Sequence, residues 1–230
     1  MRTLSIIMPV LNEAEGITAA LERLAPLRRR GVEVIVVDGG SSDASVQLAE
    51  ILADRVIGAP RGRASQMNAG AAIAAGEVLL FLHADTTLPQ NAERLVLDAL
   101  GKSGRVWGRF DVRIEGRSFL AVVAMMMNIR SRLTGIATGD QAIFVRRTEF
   151  FAAGSFPDIA LMEDIALSRR LKQFSRPFCI AQPVTTSGRR WEQLGVLRTI
   201  LLMWRLRLAY YFGAEPNALA RHYGYAPRER

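Results

Sequence analysis

The chain has 230 residues, half of them hydrophobic and 23% charged, enough to bury a proper core in one domain and too apolar for a disordered chain. A lone cysteine, Cys179, and only two histidines, His83 and His222, exclude a disulfide scaffold and a Cys/His zinc cluster, and they suit a reducing compartment. The formal charge is +8, of which eight arginines against three glutamates put +5 in the last 42 residues; that suits either an anionic partner or a solvated arginine-rich surface.

Short apolar runs at Leu4–Pro9, Val32–Val37 and Val78–Leu82, with a weaker one at Arg55–Gly58, predict strands covered on both faces. Helical patterns lie between them at Ala14–Leu27, Ala44–Ala53 and Ser65–Ala75. Asn12 and Glu15 stand at capping-box spacing before the first. Pro89 opens a further helix that runs to Leu100. This rhythm predicts an α/β fold, an open, doubly wound, mainly parallel sheet. Beyond Gly101 the pattern changes. Trp107–Ile114 alternates like a strand with one solvated face, Phe119–Leu133 is helical, and Gln141–Val145 is a strand. A helix at Glu163–Phe174, a short strand at Phe178–Ala181 and a long tail helix from about Leu194 to Phe212 follow. With no repeat and no linker, residues 1–230 read as a single domain. Its parts are a first half (1–100), a second half (101–188) and a basic helical tail (189–230).

Several familiar motifs are absent. Gly101-Lys102-Ser103 imitates the end of a P-loop, but it follows a helix and lacks the leading glycine, where Val96 stands. No G-x-G-x-x-G or G-x-S-x-G exists, which argues against hydride transfer on a dinucleotide and against serine hydrolysis. Instead, polar groups end the main strands: Asn12-Glu13 after the first, Asp38 to Asp43 after the second, and His83-Ala84-Asp85 after the Val78 strand. Ligands of open α/β sheets bind beyond the carboxyl ends of strands, so these groups should meet in one cleft. For Ser41, Ser42 and Asp43 helix capping is the simpler role. On an extended segment His83 and Asp85 would face one ligand, a set suited to Mn²⁺ or Mg²⁺ held mainly by a diphosphate.

The segments Ser5–Glu13, Val36–Asp43 and Phe81–Asp85, together with Gly62–Gly70, Gly139–Arg147 and Met162-Glu163-Asp164, resemble family 2 glycosyltransferases of GT-A fold, in the right order over about residues 4 to 175. Gly139–Arg147 with Ser187–Glu192 is most similar to a small bacterial subgroup associated with radical-SAM and arsenosugar-type gene neighbourhoods. The resemblance implies a metal-dependent, inverting transferase that uses a nucleotide-diphospho-sugar, UDP-linked by first choice. It implies that Pro9, Val10, Glu13 and Asp38 hold the nucleoside, and that Arg63 and Asn68 lie along the nucleotide. Asp85 matches the last position of the family's Asp-x-Asp and would bind Mn²⁺ or Mg²⁺; the first position is His83 here. Asp164 would be the base, with Asp140, Gln141 and Glu163 on the acceptor side. Glu163 and Asp164 are adjacent on a helix and point about 100° apart, so only one serves as base.

Arg189 and Arg190 are candidates for a diphosphate clamp and Trp191 for packing on the acceptor, against the alternative of a surface hinge. The Met125–Met127 run reads as core or as an apolar acceptor wall. Leu4–Leu11 is too short for a targeting segment and has no cleavage site. No stretch reaches the about 20 apolar residues of a bilayer span. The chain is therefore expected in the cytoplasm or peripheral on the inner face of the cell membrane. Residues 194–212, with Arg198, Arg205 and Arg207, would meet an anionic membrane surface, a second subunit, or the core. The acceptor, lipid or small metabolite, stays open. The rivals are a sugar-phosphate nucleotidyltransferase, whose basic Gly-rich loop is missing after the first strand, and a non-enzymatic binding module. No nucleic acid is expected, because the arginines lack interleaved aromatics on a sheet face.

Overall fold

A computed structural model describes residues 3–225, without the side chains of Arg190, Gln193 and Leu194. The first half alternates β1 (Leu4–Val10), α1 (Ala14–Arg29), β2 (Glu33–Asp38), α2 (Ser45–Leu52), β3 (Arg55–Gly58), α3 (Arg63–Ile73) and β4 (Val78–Phe81). Strands β1 and β2 are apolar along Ile6–Val10 and Val34–Val37 because both sheet faces are covered, while Ser5 and Glu33 at their starts pair with each other at 2.6 Å. Ile6, Met8, Val34 and Val36 enter one core beneath α1, while Ile7, Ile35 and Val37 enter the other beneath α3.

The chain continues through a two-residue strand β5 (Thr86–Thr87), α4 (Ala92–Ser103), β6 (Trp107–Ile114), α5 (Leu120–Thr134), β7 (Phe144–Arg146), α6 (Arg147–Ala152), α7 (Glu163–Leu171) and β8 (Phe178–Thr186). The tail is α8 (Arg189–Leu194), α9 (Val196–Tyr211) and α10 (Pro216–His222). One eight-stranded sheet, ordered β3-β2-β1-β4-β7-β6-β8-β5, carries both halves. Strands β3, β2, β1 and β4 are mutually parallel, whereas β7 runs antiparallel to β4 and β6.

Four sequence expectations change here. Strand β6 is buried on both faces over its first four residues, so the expected solvated face is confined to Asp111 and Arg113 near its end. Residues 139–141 form a 3₁₀ turn and the strand starts only at Phe144, so the predicted Gln141–Val145 strand is shorter. β8 extends to Thr186, beyond the predicted Phe178–Ala181, and absorbs its register shift opposite Phe110 and Asp111. The predicted tail helix stands as α9, but Arg189–Trp191, expected only to precede it, lie in a separate short helix α8 that ends at Gly195, whose φ of +80° no helix accommodates.

Candidate active site

The carboxyl ends of β1 and β2 are stitched together before any ligand arrives. Asp38 closes its own loop: its carboxylate accepts the Gly40 N–H at 2.8 Å, the Ser41 N–H at 3.0 Å and the Ser41 hydroxyl. Ser41 Oγ accepts the Asn12 N–H at 2.8 Å, and Asn12 Oδ1 accepts the Ser42 N–H at 2.8 Å. The predicted capping box at Asn12 and Glu15 is not formed, since Asn12 sits at φ +53°. Helix α1 is capped instead from the neighbouring loop, by Asp43 on Ala14 N–H and Ser45 Oγ on Glu13 N–H. Ser42 and Asp43 thus serve as structural linkers, and Asp43 reaches the start of both helices, Oδ2 accepting the Ala14 N–H of α1 and Oδ1 the Ser45 N–H of α2 at 3.0 Å.

Gln66, a polar side chain at a buried phase of α3, donates to the carbonyls of Val10 and Val37 at 2.8 and 2.7 Å. Its place among buried Ala64, Met67 and Gly70 is the one sequence signal that marks it. Two expected nucleotide contacts change roles. Val10 is 2% exposed and belongs to the core, so it supports the cleft from beneath, while Pro9 beside it is half-buried. Asn68 pairs with both backbone groups of Phe156, at 2.8 and 3.0 Å, which leaves its amide anchoring that loop.

After β4 the chain turns at once: Thr86 N–H donates to His83 C=O at 3.0 Å. His83 and Asp85 therefore do not alternate along an extended strand, contrary to the expectation from sequence. His83 directs its ring to Asp140, with Nδ1 3.5 Å from Oδ1, and packs so closely on Gly139 that a Cβ there would lie 2.5 Å from its ring. Asp85 stays open to solvent, its Oδ1 accepting only the Thr86 hydroxyl at 3.2 Å. An exposed carboxylate of this kind fits a divalent cation that takes most of its ligands from a diphosphate. Among the described residues no group of three or more His, Cys, Asp or Glu could form a closed protein cage.

Arg189 arrives at this place by topology. β5 pairs with the end of β8, where Thr86 and Thr186 hydroxyls meet at 3.1 Å, and the chain then passes Gly188. A Cβ at Gly188 would lie 2.0 Å from the Glu115 carbonyl, so only glycine fits. Partial burial and the Asp85 carboxylate push the Glu13 carboxyl up, while the charges of Arg189 and Arg63 oppose this. Those four groups share one field at the strand ends. Arg190 lies outside the described side chains. Trp191 lines a cavity of about 370 Å³ with Phe119, Leu197, Arg117 and Arg198, and the lining holds none of the strand-end carboxylates.

Across from these lies the second half of the site. The 3₁₀ turn at residues 139–141 hangs on Gln141, which is fully buried; its amide joins the Thr138 N–H and Asn128 Oδ1 at 3.3 Å each. Gln141 positions Asp140 and is shut off from an acceptor. Asp140 lies below the usual carboxylate range: burial alone would raise it, but the His83 hydrogen bond and the charges of His83, Arg63 and Arg207 outweigh that. At the start of α7, Asp164 Oδ2 accepts the Gly139 N–H at 2.9 Å and Oδ1 accepts the Ile165 N–H at 2.7 Å. Glu163 beside it is 6% exposed; burial, with the Asp164 charge, pushes its carboxyl up to about 7 against the pull of Arg63. Arg63 thus stands between Glu13 and the Glu163–Asp140 wall.

The architecture matches known proteins. A crystal structure of S. aureus TarS 1–349 superposes with a TM-score of 0.68 at 17% identity, covering 87% of this chain and 65% of that one. The mannosyltransferase PcManGT from Pyrobaculum calidifontis, in complex with GDP-Man and Mn²⁺, gives a TM-score of 0.63 at 23% identity over 97% of this chain and 65% of its own. Both likenesses show the GT-A fold. In sequence, 91 residues are 38% identical to a PGL/p-HBAD biosynthesis glycosyltransferase of Mycobacterium bovis. That match is 36% of each protein, so it spans about a third of the relative's length. The profile of glycosyl transferase family 2 matches residues 5–154, well over half of the chain, and the protein belongs to that family.

Proposed function

We propose that the protein transfers a sugar from a nucleotide-diphospho-sugar, UDP-linked by first choice, to an acceptor hydroxyl with inversion at the anomeric carbon. The observation that carries this reading is the link between two carboxylate sets: His83, beside Asp85, packs on Gly139 and Asp140, and Asp164 accepts the Gly139 N–H at 2.9 Å. Glu13, Asp38 and Asp85 stand with Arg189 at the strand ends, and Asp164 stands opposite on α7, beside the turn at Gly139.

Asp38 keeps free lone pairs on a carboxylate already fixed by its loop, so it presents a rigid acceptor to a base edge. Asp85 would hold Mn²⁺ or Mg²⁺, which supplies neutralisation of the leaving diphosphate. Arg189 adds a fixed positive charge to the same leaving group. Asp164 takes the proton of the attacking hydroxyl as its oxygen bonds to the anomeric carbon and the bond to the diphosphate breaks. A single displacement with one base supports inversion. The Gly139 and Ile165 amides aim the Asp164 carboxylate without neutralising it. His83 serves here as a positioning residue, tying the Asp85 turn to Asp140.

Asp164→Asn keeps shape but removes basicity. Steady-state transfer should fall by about 10²–10⁴, while UDP and metal affinity hold. Near-normal transfer in that variant overturns the assignment, and loss of UDP binding moves Asp164 to the donor site.

The tail supports contact with an anionic bilayer. No described helix is long and apolar enough to cross a membrane. Yet α9 exposes Leu197, Leu201, Trp204, Leu208 and Tyr211 along one side, each at least 60% exposed, with Arg198 and Arg205 also exposed. Arg207 leaves this group, because it turns toward Asp140.

A further inference from the structure

Helix α5 turns Val122, Met125, Met126, Ile129 and Leu133 to solvent and buries Leu120, Val123 and Ala124. Arg130 belongs to neither set. Its Nε and Nη2 atoms are shielded from solvent and find no hydrogen-bond partner among the described residues. Buried polar atoms are nearly always paired, and a guanidinium has only donors, so it calls for an acceptor group. Asp164, whose charge Arg130 feels, receives one backbone N–H on each oxygen. Arg109, also in range, is engaged at its two terminal nitrogens, by Asp111 and by the Asn128 carbonyl at 3.1 Å, and only its Nε is left without a partner.

A second guanidinium comes from α9. Leu206 packs with Met162 and Ile165, the residues on either side of Glu163 and Asp164, and this sets Arg207 on the same wall. The Arg207 charge reaches both Arg130 and Asp140. Burial lowers the Arg130 guanidinium to about 10; the Arg207 charge works in the same direction, against the pull of Asp164. Two like charges held together in a half-buried wall repel each other, and a bound anion reverses that repulsion. Two unpaired guanidinium groups match a phosphate monoester, which carries about −1.5 to −2 charge at neutral pH. A single carboxylate would leave one of them in excess.

We infer that Arg130 and Arg207 form a phosphate site on the acceptor side, so that the acceptor bears a phosphate monoester and presents its hydroxyl to Asp164. This rests on reading Asp164 as the base. Guanidinium forks suit phosphate oxygens, and two forks from different helices fix the direction of the acceptor as well as its place.

Calorimetric titration of the full chain with glycerol 3-phosphate, in saturating UDP and Mn²⁺ so that the donor cleft is filled, tests the site. A parallel arm uses phosphatidylcholine vesicles with and without phosphatidic acid, and separates lipid-borne from soluble phosphate. Saturable binding is expected in at least one arm. Arg130→Gln and Arg207→Gln should each weaken it by about tenfold or more, the loss of one hydrogen bond to a charged group, with UDP affinity unchanged. Arg207→Gln, at a half-exposed position, carries the test should Arg130→Gln fail to fold. No saturable binding in either arm overturns the inference. So does an equal loss of UDP affinity, since the two arginines would then serve the donor diphosphate. Binding is read at equilibrium without turnover, so its failure is distinct from a failure of Asp164 as base.

Discussion

Glu163 gives the protein a pH-dependent weakness that a single substitution should remove. Its carboxyl holds its proton to about 7 in the folded chain, against an ordinary 4.5, first because burial disfavours the charge and then because Asp164 stands beside it. The folded state therefore binds more protons than the unfolded chain between those values. This stabilisation is complete below about 4.5 and is lost as pH rises through about 7. At about 1.36 kcal/mol for each tenfold change, the whole span is worth about 3 kcal/mol, undiscounted because the side chain is 6% exposed. Glu163→Gln keeps the volume and removes the titration. In urea denaturation the variant should match the wild type near pH 5 and exceed it by about 3 kcal/mol near pH 8.5. Thermal melts should show a gain of about 6–12 °C at the higher pH for a chain of this length. Transfer activity should survive well, since Asp164 rather than Glu163 is read as the base. A stability difference that does not change with pH, or a variant weaker than wild type at high pH, refutes the reasoning.

Asp85→Ala should erase the preference for UDP with Mn²⁺ over UDP with EDTA while leaving the melting temperature near wild type, because Asp85 is exposed and holds only Thr86. Titration calorimetry reads both affinities, and equal wild-type affinity with and without metal sinks the role. Reversal of Arg198 and Arg205 to glutamate should abolish flotation with anionic liposomes, and raised salt should weaken it in the wild type. If liposomes are ignored and the same substitutions split a dimer, measured by light scattering, the tail is a subunit contact instead.

The parts of the fold legible in sequence are those set by local periodicity. β4 and the central residues of β1 and β2 are apolar because helices cover both faces, and Arg55–Gly58 is found as a strand despite its weak pattern. Pairings between distant segments leave no such trace. β5 is two residues long and exists only because β8 reaches it. The α1 cap is supplied by Asp43 and Ser45, some thirty residues away, so the local Asn12–Glu15 spacing points to the wrong device. The tail helix is found where its apolar pattern begins, but the short helix α8 before it, closed by Gly195 at φ +80°, has no pattern of its own. At the site, residue types at strand ends locate Asp38 and Asp85. They do not reveal that His83 turns to Asp140, nor that Asn68 and Gln141 are consumed by backbone groups.

This division has a physical cause that bears on specificity. The donor cleft is built from consecutive strand ends of one parallel sheet, so each contributor lies in a short motif beside its own strand. Hydrogen bonds between the Asn12, Asp38 and Asp43 loops fix it before a ligand arrives. The opposite wall draws on α5, the turn at residues 139–141, the start of α7 and α9, four segments with no common local pattern. Its fixed members, Gln141 and Asp164, are locked by backbone groups, while Arg130 keeps two shielded nitrogens without a partner among the described residues. Unsatisfied charges on a rigid wall discriminate strongly, because a ligand lacking the matching anion leaves them buried and repelling. Substitution on α5 and α9 should therefore alter the choice of acceptor without disturbing the nucleotide, and the reverse should hold for the strand-end loops.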